Sequence, residues 1–206
     1  ASRTIPFVSK SIGVPLAKLA TWIMLGDTLK NIGFTKEVVP PYYCVKEVVF
    51  PFKRFPGVDV ILGPEMKSTG EVMGIDWDPA LAYAKAQLAA DMKLPTSGTV
   101  FISVKDEDKP LVVDIAKQLI SLNFKLIATK GTAEYLKNHE IEVEIVPKIS
   151  DCLRPNILDF IKNKEIHLAI NTAKGKISKD DAYLIRRYTM ELNIPYATTI
   201  SGARAM

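Results

Sequence analysis

The sequence predicts an α/β protein whose second half is a parallel sheet with helices on both faces, preceded by an α+β segment. Two observations lead there. From residue 99 onward, short apolar runs of strand type alternate with amphipathic stretches of helical length, the pattern of consecutive βαβ units. Before that point the elements are mixed: helical spacing first, then extended runs rich in aromatic and β-branched residues beyond Pro40-Pro41. Leu94-Pro95-Thr96-Ser97-Gly98 reads as the linker between the halves, which divides the chain into residues 1–96 and 97–206.

Each element has its own signal. Residues 5–10 read as part of an element already under way. Residues 14–25 carry apolar side chains at helical spacing, with Trp22 and Met24 expected in the core and Gly26 as the stop. Asp27 opens a second short helix over 28–32, closed by Gly33. Residues 38–51 are extended, 58–62 and 71–75 are strands, and 63–70 link them. Asp78-Pro79 is a helix opening, with aspartate as N-cap and proline at N1. That helix is expected to run to about Met92 and to bury Leu81, Ala84 and Leu88.

In the second half, strands are expected at 99–104, 124–128, 141–146, 166–170 and 195–199. Helices are expected over 108–122, from Thr132, over 154–163 and over 180–192, with a further helix beginning as the chain stops. Glutamates alternate with apolar residues in 141–146, which places that strand near an edge. His167 lies inside a strand and is expected to be a satisfied core histidine.

Composition narrows the function. The chain has 206 residues, 48% of them hydrophobic and 24% charged, with a formal net charge of +4, ordinary values for a globular protein. No arginine-rich arm or aromatic–basic interleaving is present, which argues against nucleic acid. Cys44, Cys152, His139 and His167 are scattered without metal-ligand spacing, so no metal site is expected and a reducing cytoplasm is the default compartment. No apolar run approaches the ~20 residues that span a bilayer, and the first residues lack a signal-peptide pattern.

The residues that carry chemistry gather where strands of the second half end, which is where parallel sheets bind ligands. Thr129-Lys130-Gly131-Thr132 links a strand to a helix start. Free N–H groups, two hydroxyls, a lysine and a glycine that admits close approach make an anion site. The same residues also fit a plain turn with Thr132 as N-cap. Lys105 and Lys109, Lys148, Asn171-Thr172 with Lys174 and Lys176, and Thr198-Thr199 end the other strands, with Asp106, Glu107 and Asp108 nearby. The composition is that of a phosphate pocket, without a nucleophile–base pair.

Longer motifs then carry a resemblance. Pro6-Phe7-Val8-Ser9-Lys10, the segment from Pro41 to Phe52, and Leu62-Gly63-Pro64-Glu65-Met66-Lys67-Ser68-Thr69-Gly70-Glu71-Val72-Met73-Gly74 resemble the large subunit of carbamoyl phosphate synthetase, at the end of its second ATP-grasp unit. Ala128 to Thr132, Ile170-Asn171-Thr172 and Ile185-Arg186-Arg187 resemble the methylglyoxal-synthase-like (flavodoxin/Rossmann-like) regulatory domain that follows. The resemblance implies that residues 1–96 are the C-terminal part of an ATP-grasp domain and 97–206 an allosteric domain cut short within its last helix. It implies a C-terminal fragment, inactive alone, of an enzyme that makes carbamoyl phosphate from bicarbonate and glutamine-derived ammonia for pyrimidine and arginine synthesis. ATP and Mg2+ (or Mn2+) serve the intact enzyme, with none held within the fragment; the rest of the large subunit and the small glutaminase subunit are the partners.

By motif, Arg3 is the implied catalytic residue, meeting phosphoryl or carbamate oxygens. Lys109, Thr129, Lys130, Gly131, Thr132, Lys148, Asn171 and Thr172 are the implied effector site for UMP or IMP. Glu71, Val72 and Thr198 are candidates for an ornithine site. Ala173 stands where a second hydroxyl is common in the family, and Tyr196-Ala197-Thr198 stands where ornithine-activated members carry Tyr-Asp-Thr. The lost carboxylate makes ornithine control doubtful and UMP the safer effector. The competing reading is a free-standing methylglyoxal-synthase-like lyase acting on a small phosphate ester. It lacks a carboxylate base, since Asn171-Thr172-Ala173-Lys174 replaces the Asp-Pro-Leu segment. A third reading is a contact domain; the apolar residues of 11–75 suggest that the chain can form homo-oligomers.

Overall fold

The computed structural model describes residues 3–50, 70–172 and 176–206, with backbone alone for 176–180. The strand expected at 58–62, the link that follows it, and Ala173 and Lys174 lie outside the described residues. The chain forms two compact units, residues 3–49 with 70–91, and residues 92–206.

In the first unit, α1 (Thr4–Ile12) ends at Gly13, whose φ of 70° and N–H bond to Ser9 O make a left-handed stop. Next come α2 (Leu16–Met24) and α3 (Leu29–Ile32). Thr28 caps α3 by accepting from the Asn31 N–H, one residue later than the opening expected at Asp27, and Gly33 closes the helix at φ 77°. Trp22 and Met24 are not core residues. Leu19 is the buried position of α2, Met24 is 87% exposed, and Trp22 lies beneath the Lys18 ammonium.

Strands β1 (Tyr43–Val49) and β2 (Gly70–Asp76) form an antiparallel pair with Glu47 opposite Val72 and Val45 opposite Gly74. Helix α4 (Pro79–Ala89) packs on them. Asp78 Oδ1 accepts from the N–H groups of Ala80 and Leu81 at 2.8 and 3.0 Å, and Pro79 occupies the first turn. The helix ends at Ala89, short of Met92, and Leu81 and Leu88 are exposed. The buried face is Ala82, Ala86 and Gln87. Gly74 decides this orientation: a Cβ there would stand 1.9 Å from Ala82 O, so the small-residue face of α4 lies directly on the strand.

One half-buried polar pair bridges this packing. Gln87 Nε2 donates to Glu47 Oε2 at 2.8 Å. Burial pushes the Glu47 carboxyl above its ordinary value, against the opposing Val48 N–H and Gln87 amide. A raised carboxyl binds its proton more tightly when folded, so ionisation above the ordinary value near 4.5 lowers stability as pH rises through the folded value. Glu47→Gln is therefore expected to raise the melting temperature at pH 7 and leave it unchanged at pH 4. An equal gain at both pH values contradicts the assignment.

The second unit is a five-stranded parallel sheet of order β5-β4-β3-β6-β7. The strands are β3 (Gly98–Val104), β4 (Phe124–Ala128), β5 (Glu144–Ile145), β6 (Leu168–Thr172) and β7 (Tyr196–Ala197). The helices are α5 (Lys109–Ser121), α6 (Lys130–Lys137), α7 (Ile157–Lys162), α8 (Lys176–Glu191) and α9 (Ile200–Ala205). Alternation along the strands divides the core in two. Val100 and Ile102, with Leu126 and Ile170, face α5, α6 and α9. Phe101, Ile127 and Ala169 face α7 and α8. The expected fold class, a parallel sheet with helices on both faces, is what forms.

Corrections here are local. The edge strand keeps two residues of the six expected, although Ile141, Val143 and Val146 are still buried. Helix α8 begins at Lys176, four residues before its expected start. The last strand is Tyr196–Ala197, and Thr199 caps α9 by accepting from the Gly202 N–H. His167 is exposed rather than a core residue, though satisfied: its Nδ1 accepts from the Thr99 N–H at 3.1 Å. Gly98, at φ 118°, packs against that imidazole. Among the described residues no helix is long and apolar enough to cross a membrane, and no group of three or more His, Cys, Asp or Glu is placed to hold a metal ion.

Candidate functional site

The sheet order makes the site. From β3 the chain steps to β4 and β5 on one side, then returns to β6 and β7 on the other. The connections above β3 and β6 therefore diverge and leave a crevice at the carboxyl ends of those strands. A pocket of about 360 Å³ occupies that crevice, a size that suits a small-molecule ligand. Strand ends supply its floor: Ser103 lies opposite Asn171 and Val104 opposite Thr172 in the β3–β6 register. Lys105, Asp106 and Glu107 come from the turn before α5 and Lys109 from its first residue, Thr129, Gly131 and Thr132 from the start of α6, and Lys148 from the turn after β5.

The helix start differs from the expected turn. Thr129 is the N-cap, extended at φ −64°, ψ 149°, and Lys130 and Gly131 already belong to the first turn of α6. The Thr129 carbonyl takes the N–H groups of Thr132 and Ala133, while the N–H groups of Lys130 and Gly131 meet no acceptor among the described residues. Two open donors thus remain at the positive end of the helix. No side chain caps this helix: the Thr129 hydroxyl donates to Ser103 Oγ at 3.1 Å. Thr132 is not the N-cap either. It is buried, and its Oγ1 accepts from the Val104 N–H at 3.2 Å and faces Val104 O at 3.5 Å, clasping α6 to the end of β3. Thr172 Oγ1 likewise accepts from the Lys105 N–H. These two hydroxyls shape the pocket by fixing backbone.

Charge comes from lysines. Lys109 is mostly buried, and its Nζ lies 2.7 Å from Asp106 Oδ1, a carboxylate that is 91% exposed. Solvent screens such a contact, so Lys109 keeps most of its capacity for a second anion. A Cβ on Gly131 would lie 3.5 Å from Lys109 Nζ, so the glycine brings the α6 backbone alongside the ammonium. Lys148 is exposed at the rim, where its N–H donates to Asp151 Oδ2. Asn171 is only 5% exposed.

The structure thus brings together Lys109, Thr129, Gly131, Thr132, Lys148, Asn171 and Thr172. Lys130 is exposed beside the pocket and is not among its lining residues. Ser103 is a pocket residue that sequence reasoning missed; its signal was its place at a strand end, two residues beyond buried Phe101 on the same face. Thr198 is exposed ahead of the Thr199 cap and does not line the pocket. In the first unit, Arg3 precedes α1 and its Nη1 donates to Gly70 O at 3.2 Å. Glu71 and Val72 line a pocket of about 140 Å³ with Pro6, Phe7, Lys10 and Met73. The Glu71 carboxylate already faces Lys46 Nζ at 3.4 Å.

A βαβ sheet with a polar pocket at its switch point is common to many families, and sequence comparison narrows the choice. Residues 111–198 match the model of the MGS-like domain. That match lies within the second unit. Beyond that domain, the whole chain is similar to carbamoyl phosphate synthase large chains. It is 55% identical to the one from Methanobrevibacter smithii, over 100% of this chain and 19% of that protein. It is also 53% identical to the C-terminal section of the large chain from Methanocaldococcus jannaschii, over 100% of this chain and 35% of the relative. For the C-terminal section from Aquifex aeolicus the figures are 51%, 100% and 41%. The chain therefore spans less than half the length of each of these relatives. A solved methylglyoxal synthase from Elizabethkingia anophelis is a more distant likeness, with TM-score 0.44 at 19% identity over 54% of this chain and 77% of that one.

Proposed function

We propose that this chain is part of the large subunit of a carbamoyl phosphate synthase and that its MGS-like domain binds a nucleoside monophosphate effector through the phosphate. The observation that carries the effector reading is the juxtaposition of Lys109, Lys148, Asn171 and the open N–H groups of Lys130 and Gly131 around one pocket. A phosphate dianion suits this set: ammonium groups supply charge, and a helix N-terminus supplies aimed donors without charge. The pocket exceeds what a bare phosphate fills, which favours a nucleotide, with UMP ahead of IMP.

The whole enzyme would be an ATP- and Mg2+-dependent ligase of the cytoplasm. It would join bicarbonate with ammonia released by a small glutaminase subunit, for pyrimidine and arginine synthesis. Arg3 would meet phosphoryl or carbamate oxygens there with its planar fork. The exposed apolar residues of the first unit, Trp22, Ile23, Met24, Leu25 and Trp77 among them, suit contact with the remainder of the large subunit, and this chain alone would not catalyse the reaction. Ornithine control is disfavoured, since Glu71 already has Lys46 beside it and Ala197 supplies no carboxylate.

Thermal unfolding of the chain with UMP, IMP or ornithine in excess tests the reading. A ligand at 100 times its dissociation constant adds about 2.7 kcal/mol to the folded state. UMP is expected to raise the transition of the second unit, and ornithine is expected to leave both units unmoved. No shift with either nucleotide contradicts the proposal.

A further inference from the structure

We propose that Arg186 and Tyr196 are positioning residues, a donor relay that turns the Asn171 carboxamide so that its NH2 group faces an anion in the pocket. The proposal rests on reading that pocket as an anion site. Strand β7 pairs with β6 so that Tyr196 lies opposite Ala169. Asn171 is two residues beyond Ala169 on the same face, and so is the diagonal neighbour of Tyr196. Tyr196 packs in the layer that holds Phe101, Ile127 and Ala169 beneath α7 and α8, and Arg186 follows Ile185 of that layer on α8.

The polar atoms of these two side chains are out of place in such a layer. Arg186 Nε and Tyr196 Oη are both shut off from solvent, and neither has a hydrogen-bond partner among the described residues. Buried polar atoms without partners are few in folded proteins and costly, so two side by side call for a reason. Arg186 and Asn171 are both neighbours of the Tyr196 phenol. Burial pushes the Tyr196 phenol up, while the Arg186 charge acts against it.

Donor and acceptor chemistry fixes the direction of the relay. A guanidinium has donors only. Facing Arg186, the phenol oxygen can only accept, and its own proton then turns to the next group, Asn171. A carboxamide accepts through its oxygen alone, so Oδ1 turns inward to Tyr196 and Nδ2 carries both its protons outward. That is the side on which Asn171 lines the pocket with Lys109 and Lys148. The opposite flip would present a carbonyl oxygen to an anion. The relay makes an ambivalent side chain a donor, from a position that touches no ligand.

A double-mutant cycle on the full 206-residue chain tests this, with UMP as the probe in calorimetric titration. Tyr196→Phe is expected to weaken UMP binding roughly five- to tenfold, the net weight of one hydrogen bond, with no loss in melting temperature. In an Asn171→Ala background the same substitution is expected to change nothing further. Arg186→Gln, which removes the guanidinium at similar length, is expected to reproduce the pattern and serves if Tyr196→Phe does not fold. Unchanged affinity in the single variants, or additive losses in the doubles, overturns the relay while leaving the pocket reading intact. Absence of UMP binding by the unsubstituted chain overturns the pocket reading and the relay with it.

Discussion

Lys109→Ala is expected to weaken UMP binding by roughly ten- to hundredfold, the range for losing one charge-assisted hydrogen bond. Lys109 is the buried cation of the pocket: its side chain is 18% exposed, whereas Lys148 sits at the rim. An ammonium held in a partly desolvated place loses little to screening, so its removal should matter more than that of either exposed lysine nearby. The fold should tolerate the change, because the partner it abandons, Asp106, is solvated. Lys130→Ala is the matched control. It removes the same charge from an exposed position beside the pocket and should cost less than Lys109→Ala. Equal losses for the two variants would mean that binding follows general charge rather than the buried ammonium. Titration of both variants with UMP, alongside their melting temperatures, separates the cases.

The largest effect on stability is expected at Gly74. Gly74→Ala should destabilise the first unit by about 3–5 kcal/mol, the upper range for single substitutions. The added Cβ would lie 1.9 Å from Ala82 O and 2.6 Å from Ala86 N, backbone atoms of α4 that no rotamer change can move aside. Helix α4 would have to lift from β2, exposing Ala82, Ala86 and Gln87 and pulling Gln87 from Glu47. Gly70, on the same strand, has open space where its Cβ would be. Gly70→Ala should therefore lie within about 0.5 kcal/mol of the parent, as unhindered surface changes do. Denaturant melts of the two variants measure the difference. A small effect at Gly74 would mean that α4 does not rest on β2 as described.

These residues also show what the sequence could and could not reveal. The second half was legible because each strand reports its own burial: Val100, Phe101 and Ile102 are apolar on both faces, and only a sheet covered on both sides buries them all. Helix ends with chemical caps were legible to within a residue or two, as at Asp78-Pro79 and Thr28. The facing of α4 was not. Its leucines look like the core, but the partner surface is a glycine, and only alanines fit against it. Trp22 and Met24 failed for a related reason: helical spacing shows that a stretch is helical, not what covers each side.

At the site, the residue types and their convergence at strand ends were legible, because βαβ connectivity fixes which loops share an edge. The division of labour was not. Thr129-Lys130-Gly131-Thr132 reads as a turn, yet the helix begins at Lys130, which spends the Thr132 hydroxyl on Val104 and leaves two backbone N–H groups for an anion. Nothing in the sequence tied Tyr196 or Arg186 to Asn171, since Tyr196 comes beside that residue only when β7 joins β6 and Arg186 lies on a separate helix.

Calorimetric titration of the chain with UMP and, separately, with uridine tests the central claim most directly, since the two ligands differ only in the phosphate. Binding of UMP with no detectable binding of uridine, together with competition by inorganic phosphate, is the predicted result. Equal binding of the two ligands, or no binding of UMP, would contradict the assignment of the pocket to a phosphate.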